Sequence, residues 1–212
     1  MSGDLAELEA AFRTYVGAGA ACRATADELL GRYRQPHRVY HGVRHLVWVV
    51  RHVQSLVAEP SVDVADLGAT IAAAFYHDAV YEPTGTANEA HSADIAVGDL
   101  SALGWEQARC SRVAELVRAT ADHVPGDAAD AAVLCDADLA VLATEPADYE
   151  AYVTGVRREY AHVDDDGWRM GRAAVLRSFE ERVQIYTTAP ANHRWESRAR
   201  ANLAAELAQL SV

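Results

Sequence analysis

The stretch HLVWVVRHVQSLV, residues 45–57, has the spacing of an amphipathic helix. Its apolar side chains recur three, four, seven and eleven positions after the first, so they share one helix face, and they are Leu46, Val49, Val50, Val53 and Val57. Alanine, the strongest helix former, fills 43 of the 212 positions, and apolar–polar alternation is rare. We therefore predict an all-α protein with eight to ten helices.

Proline and glycine separate this stretch from other helical stretches, and none of the breaks is long enough to be an interdomain linker. We predict one domain over residues 1–212, with N-terminal helices in 1–35 and a C-terminal helix in 192–211 packed on it. Thr86 and Glu89 have the spacing of a capping box, which predicts a helix start there.

The composition excludes several function classes. The net charge of −12 disfavours general nucleic-acid binding and binding to an anionic membrane surface. Since all 19 basic residues are arginine, P-loop and Schiff-base lysine chemistry are excluded. The three cysteines are far apart in sequence, and the chain has neither a basic leader nor a long apolar span, so we predict a cytoplasmic protein.

Histidines are the first candidates for chemistry. His41 and His45 are four residues apart and would share a helix face, although this spacing alone is also common on solvated polar faces. His77 and Asp78 end an apolar run, so their polar groups need partners inside the protein. A metal ion is one such partner, and a capping interaction is the alternative.

Two aspartates, Asp136 and Asp138, lie within an otherwise apolar run over residues 133–142. A buried carboxylate is costly unless it is paired or bound to a metal, and the chain has no lysine to pair with it. A metal ion explains the pattern most simply, while an arginine pair or a helix cap is the alternative. Mixed nitrogen and oxygen ligands suit Mn, Fe, Co, Ni or Zn better than Ca.

The order of the histidine pair, the His77-Asp78 motif and the late aspartates along the chain resembles that in the HD superfamily of metal-dependent phosphohydrolases. The resemblance covers about residues 30–190. The matching residues are Tyr40-His41-x-x-x-His45, His77-Asp78 and Asp136-Ala137-Asp138-Leu139. A bacterial branch described only as predicted HD phosphohydrolases is also similar in Phe75-Tyr76-His77-Asp78, Asn88-Glu89-x-x-Ser92-Ala93, Val156-Arg157-x-Glu159-Tyr160 and Gly171-Arg172. The resemblance implies an HD-domain-like helical bundle with a central metal site.

The resemblance also implies a ligand set of His45, His77, Asp78 and one late aspartate. We expect Asp138, because it precedes Leu139 as the late aspartate of the family often precedes a leucine, and Asp136 is the alternative. The two side chains are about 200° apart on a helix, so they should not face the same ion. The implied cofactor is one or two divalent metal ions per chain, namely Mn, Fe, Co, Ni or Zn, with Mg as a further candidate.

The residues expected to be catalytic are His41, Asp78 and His123. His41 occupies the position of the histidine that protonates the leaving oxygen in cyclic-nucleotide phosphodiesterases of the superfamily. Gly42 stands where those enzymes have asparagine, so we do not expect that activity. His123 could serve a second metal or a phosphate, or it could simply end a helix, where the helix dipole favours histidine.

Five residues are candidates for substrate binding. Four are arginines, whose guanidinium groups bind phosphate through two hydrogen bonds, and the fifth is a glutamate that follows the His77-Asp78 loop. They are Arg38, Arg44, Arg157, Arg172 and Glu89. The alternative for the arginines is pairing with surface acids, and for Glu89 it is the capping box.

The predicted function is a divalent-metal-dependent phosphohydrolase that uses metal-activated water on a small phosphorylated metabolite or nucleotide. One alternative is a di-iron oxygenase with extra ligands from His41, His52 or His123. Another is a non-catalytic ligand-binding module. The expected partner is a small phosphorylated substrate, and the sequence leaves a homodimer open.

Overall fold

Ten α-helices and no β-strand occur in residues 2–210, the part of the chain that the computed structural model describes. This confirms the prediction of an all-α fold with eight to ten helices. A short 3-10 segment, Ala140–Ala143, follows the seventh helix. The helices are α1 Ser2–Tyr15, α2 Ala20–Arg32, α3 Val43–Val57, α4 Leu67–Tyr76, α5 Asn88–Ala102, α6 Gln107–Ala119, α7 Ala129–Leu139, α8 Pro146–Glu159, α9 Asp165–Glu180 and α10 Ala189–Leu210.

Helix α4 lies at the centre of the bundle. Its sequence, LGATIAAAFY, has no polar face, and every residue from 69 to 76 is buried. Small alanine side chains let α1, α3, α6 and α7 pack against it. Asp66 caps the helix by accepting a hydrogen bond from the Ala69 N–H at 2.9 Å. The C-terminal end of α4 therefore lies inside the protein, so the two residues that follow, His77 and Asp78, lie there as well.

Helix α3 packs beside α4 and α7. Leu46, Val49, Val50 and Val53 are almost completely buried, as the apolar stripe predicts. The prediction that His41 shares a helix face with His45 is wrong, because α3 begins only at Val43. Gly42 is extended, and a long-range hydrogen bond from the His41 N–H to Glu159 holds the chain in a turn there.

Two further boundaries differ from the predictions. The capping box does not form, because α5 begins at Asn88, and the Asn88 side chain instead closes a loop through hydrogen bonds with the Glu82 backbone. The last helix begins at Ala189 rather than at 192, with Pro190 in its first turn, where no N–H is needed. The predicted ends at residues 1, 211 and 212 lie outside the described residues.

The first and last helices pack on different parts of the bundle. Helix α1 contacts α3 and α4, while α10 contacts α9 and the 3-10 segment. Gly19 precedes α2 with φ +108°, a conformation that favours glycine, and thus separates α1 from α2. Within residues 2–210, no helix combines the length and the apolar character needed to cross a membrane.

Candidate metal centre

Four side chains from three helical elements meet at the centre of the bundle, and we call them the His/Asp cluster. They are His45 on α3, His77 and Asp78 at the end of α4, and Asp138 on α7. The His45 Nε2 atom lies 3.0 Å from His77 Nε2, 3.2 Å from Asp138 Oδ1 and 3.4 Å from Asp78 Oδ2. The His77 Nε2 atom lies 3.2 Å from Asp78 Oδ2 and 3.7 Å from Asp138 Oδ1.

These separations fit a shared metal ion. Neighbouring ligands on one ion are about 3.0 to 3.4 Å apart when the metal–ligand bonds are about 2.1 Å long. The His77 Nδ1–H donates to the Ala74 carbonyl at 2.8 Å, which leaves the Nε2 lone pair facing the cluster. One donor atom each from His45, His77 and Asp138 lies within 4.8 Å of the others, so these three residues can hold a metal ion.

The buried histidines and carboxylates of the cluster shift one another's pKa values. Burial alone raises the pKa of Asp138, but His77, His123 and His45 hold that pKa well below its usual range. Burial alone lowers the pKa of His45, yet hydrogen bonds to Asp138 and Asp78 raise it to about 9. A proton on His45 thus offsets part of the carboxylate charge when no cation is bound, and a divalent ion can take over that role.

The two late aspartates have different partners. Asp138 faces the histidines, whereas the carboxylate of Asp136 accepts hydrogen bonds from the Thr187 N–H at 2.8 Å and the Thr188 N–H at 2.7 Å. Burial raises the pKa of Asp136 to about 6 even though these two N–H groups oppose the shift. The alternative ligand, Asp136, therefore lies on the opposite side of α7, where it holds the segment that leads into α10.

His123 lies next to the His/Asp cluster, with its Nε2 atom 2.8 Å from Asp138 Oδ2. Its backbone is left-handed, with φ +52°, a conformation that costs a non-glycine residue roughly 1 kcal/mol. Arg182 braces this turn by donating to the carbonyls of His123 at 2.9 Å and Asp122 at 2.6 Å. Sequence reasoning missed Arg182, because no local pattern connects it to a loop about sixty residues earlier.

A buried carboxylate, Glu159, holds His41. The Glu159 Oε1 atom accepts the backbone N–H groups of Val39, Tyr40 and His41 at 2.7, 2.7 and 3.0 Å. Its Oε2 atom accepts His41 Nδ1–H at 2.7 Å and the Tyr81 hydroxyl at 2.9 Å. The His41 ring stacks on the Tyr81 ring, and its centroid lies 5.5 Å from the centroid of the His45 ring. Sequence reasoning gave Glu159 no role, although it belongs to one of the family-like strings.

Three of the four candidate arginines are engaged within the protein. Arg38 donates to the carbonyls of His41, Asp78 and Ala79, and so holds the turn around the cluster. Arg172 is buried against both carboxylate oxygens of Glu206. Arg157 binds the Tyr160 and Val163 carbonyls and Asp165.

The other candidate residues, Arg44, Glu89 and His52, lie outside the His/Asp cluster. Arg44 is exposed at the start of α3, and Glu89 lies in the first turn of α5. His52 is two turns beyond His45 on α3, where its Nδ1–H donates to the Trp48 carbonyl at 2.8 Å. Arg44 therefore remains available to a ligand, whereas His52 does not join the cluster.

Two clefts reach the His/Asp cluster from outside. The cluster cleft, about 570 Å³, is lined by residues that include His41, His123, Asp138, Tyr152, Phe179 and Arg182. The outer cleft, about 730 Å³, is lined by residues that include Tyr40, Arg44, His45, Trp48, Tyr152 and Arg158. Tyr40 and Tyr152 line both, so the clefts are neighbours, and a ligand can approach the cluster from this side.

No family model, curated protein or solved structure matches the chain. The resemblance to the HD superfamily therefore stays a prediction, and function has to be inferred from the geometry of the centre.

Proposed function

We propose that the chain is a divalent-metal-dependent phosphohydrolase acting on a small phosphorylated metabolite or nucleotide. The observation that carries this proposal is the convergence of His45, His77 and Asp138, with Asp78 beside them, next to an open cleft. The three cysteines are buried and unpaired, which supports a reducing compartment such as the cytoplasm.

The His/Asp cluster would hold the ion through two imidazole nitrogens and two carboxylates. A divalent ion there supplies positive charge for the phosphoryl oxygens and lowers the pKa of a water molecule towards neutrality. Arg44 and Arg158 are exposed side chains that line the outer cleft, so they can contact the phosphate charges of a ligand there.

His41 is suited to protonate the leaving oxygen. Its Nδ1–H is bound by Glu159, so its Nε2 atom is the one that can donate to a substrate. Burial raises the pKa of Glu159, but His41 and the backbone N–H groups outweigh burial and keep that pKa below its usual value. Glu159 thus stays ionised at neutral pH, and it acts as a positioning residue that orients His41.

The alternative functions have less support. A di-iron oxygenase needs a second set of ligands, yet among His41, His52 and His123 only His123 has a ring nitrogen within hydrogen-bond distance of a cluster atom. A non-catalytic module needs no oriented acid, whereas His41 is held by a carboxylate that accepts five hydrogen bonds. Both features favour the hydrolase.

The test is metal-dependent release of phosphate. Metal-free protein is reconstituted separately with Mn, Fe, Co, Ni, Zn and Mg and assayed on p-nitrophenyl phosphate, alkyl phosphates and nucleoside monophosphates. We expect hydrolysis with at least one metal and a loss of about a hundredfold or more in His77→Ala. His91→Ala, at an exposed histidine, is the matched control. Absence of hydrolysis with every metal would overturn the proposal, and oxygen consumption by a protein with two irons would favour the oxygenase.

A further inference from the structure

A third cavity, of about 410 Å³, lies beside His41 between α8 and α9. Four aromatic side chains line it, and they are Tyr81, Tyr152, Tyr160 and Trp168. We call it the aromatic pocket. Its volume is within the range of about 300–1,000 Å³ that is typical of small-molecule sites.

The aromatic pocket continues from the cluster cleft. Both cavities are lined by His41, Tyr152, Tyr160 and Val175. Because the His41 ring lies 5.5 Å from the His45 ring, a phosphoryl group at the His/Asp cluster would have His41 beside it and the aromatic pocket beyond. The part of a substrate that extends past His41 is the part attached to the oxygen that His41 protonates, which is the leaving group.

The lining of the aromatic pocket favours a planar, uncharged ring. Tyr160 and Trp168 have ring centroids 5.9 Å apart, and the guanidinium groups of Arg172 and Arg157 lie over Tyr152 and Trp168 at 5.1 and 5.4 Å. Among the described residues, no carboxylate lines the pocket, and two cations back its rings, so it is unsuited to an ammonium group.

An anion is also disfavoured in the aromatic pocket. The Arg172 guanidinium is already bound to both oxygens of Glu206 and to the Tyr152 hydroxyl. The aromatic rings and three valine side chains, Val156, Val163 and Val175, remain to bind a ligand, and the rings favour stacked or edge-to-face contact with another ring.

We propose that the aromatic pocket binds a planar aromatic or heteroaromatic ring carried by the leaving group of the substrate. This proposal rests on the proposed phosphohydrolase function and narrows its substrate class. In the reaction, a water oxygen forms a new bond to phosphorus as the bond to the ring-bearing oxygen breaks. The departing oxygen takes a proton from His41 Nε2, and the attacking water loses a proton to bulk solvent, from which His41 is then reprotonated. The products are a ring-bearing alcohol and inorganic phosphate.

Two phosphate esters with the same carbon skeleton test whether the enzyme prefers an aromatic leaving group. The metal-reconstituted full-length protein is assayed with naphthalen-2-ylmethyl phosphate and with its saturated analogue, decahydronaphthalen-2-ylmethyl phosphate. Both leaving groups are primary alcohols, so the esters differ mainly in ring planarity and aromaticity. We expect kcat/KM to be about tenfold or more higher for the naphthyl ester, mainly through a lower KM.

Gly171 offers a way to fill the aromatic pocket. It lines the pocket on α9, and a Cβ added there meets no atom within 4 Å. Gly171→Leu should reduce the preference for the naphthyl ester over methyl phosphate by about tenfold. Gly98→Leu is the matched control, because Gly98 is also an exposed helical glycine with open space around its Cβ, and it lines none of the described cavities. It should leave that preference unchanged.

The outcomes separate this proposal from the function on which it rests. Equal kcat/KM values for the naphthyl and saturated esters, or an unchanged preference in Gly171→Leu, would overturn the aromatic pocket as the leaving-group site while metal-dependent hydrolysis stands. If neither these three esters nor p-nitrophenyl phosphate nor the nucleoside monophosphates are hydrolysed with any metal, the proposed function is overturned, and the leaving-group assignment with it.

Discussion

Asp136 and Asp138 are two residues apart on α7 and have separate partners. Asp138→Asn removes a carboxylate that contacts His45 and His123, so we expect the metal content to fall to background. Asp136→Asn should keep the metal but lose about 1–3 kcal/mol of stability, because the Thr187 and Thr188 N–H groups lose their charged acceptor. Elemental analysis and thermal unfolding measure the two effects. Loss of metal in Asp136→Asn alone would reverse the assignment.

The role of Glu159 can be separated from metal binding. Glu159→Gln keeps the size of the side chain but removes the charge that orients His41, so we expect full metal content and a kcat on alkyl phosphates about a hundredfold lower. The loss should be much smaller for p-nitrophenyl phosphate, because its leaving oxygen needs little protonation. Equal losses on both esters would argue against His41 as the proton donor.

Metal binding should also be linked to proton release. In the metal-free protein His45 has a pKa raised to about 9, so it is protonated at pH 7, whereas a metal ligand must be deprotonated. Binding at pH 7 therefore releases at least one proton, and the apparent affinity should increase as the pH rises towards 9. Calorimetry in buffers of different ionisation enthalpy measures this release, and a heat that does not depend on the buffer would refute it.

At the scale of elements, we expect the packing of α4 to contribute strongly to the free energy of unfolding of the whole bundle. Phe75 is 1% exposed, and its ring packs edge-on against Phe12 at 5.2 Å. Phe75→Ala should lower the free energy of unfolding by about 3–5 kcal/mol through lost burial and a cavity. Chemical denaturation checks this value. Val53→Ala, a smaller truncation in the same core, should cost less, and a similar cost for both would contradict the central position of α4.

Sequence periodicity was sufficient to predict the helices but not the conformations of the turns between them. The stripe of α3 and the all-apolar α4 follow from local spacing, because the side chains that share a face are close in sequence. The turn at His41 does not follow from it, since Glu159, about 120 residues later, fixes that turn. The left-handed conformation of His123 was likewise not predicted, because Arg182, which braces it, follows α9 and lies about sixty residues later in the chain.

At the scale of the whole molecule, the site could be predicted only in part. The side chains of His45, His77, Asp78 and Asp138 lie together, because a buried carboxylate needs a partner and the histidines supply one. Whether they bind a metal stays a prediction. Arg38, Arg157 and Arg172 were candidates for phosphate binding, but they instead bind carbonyls and carboxylates of the chain itself. Their alternative partners are distant in sequence or belong to the backbone, and no local pattern reveals them.

The central claim is that the His/Asp cluster binds a metal, and metal content per chain tests it most directly. The full chain is purified without chelator or added metal and analysed for elements beside Asp138→Asn, with circular dichroism showing that both are folded. We predict about one divalent transition metal per chain in the natural protein and background levels in the variant. A folded natural protein that contains no metal, and takes up none on reconstitution, would contradict the claim.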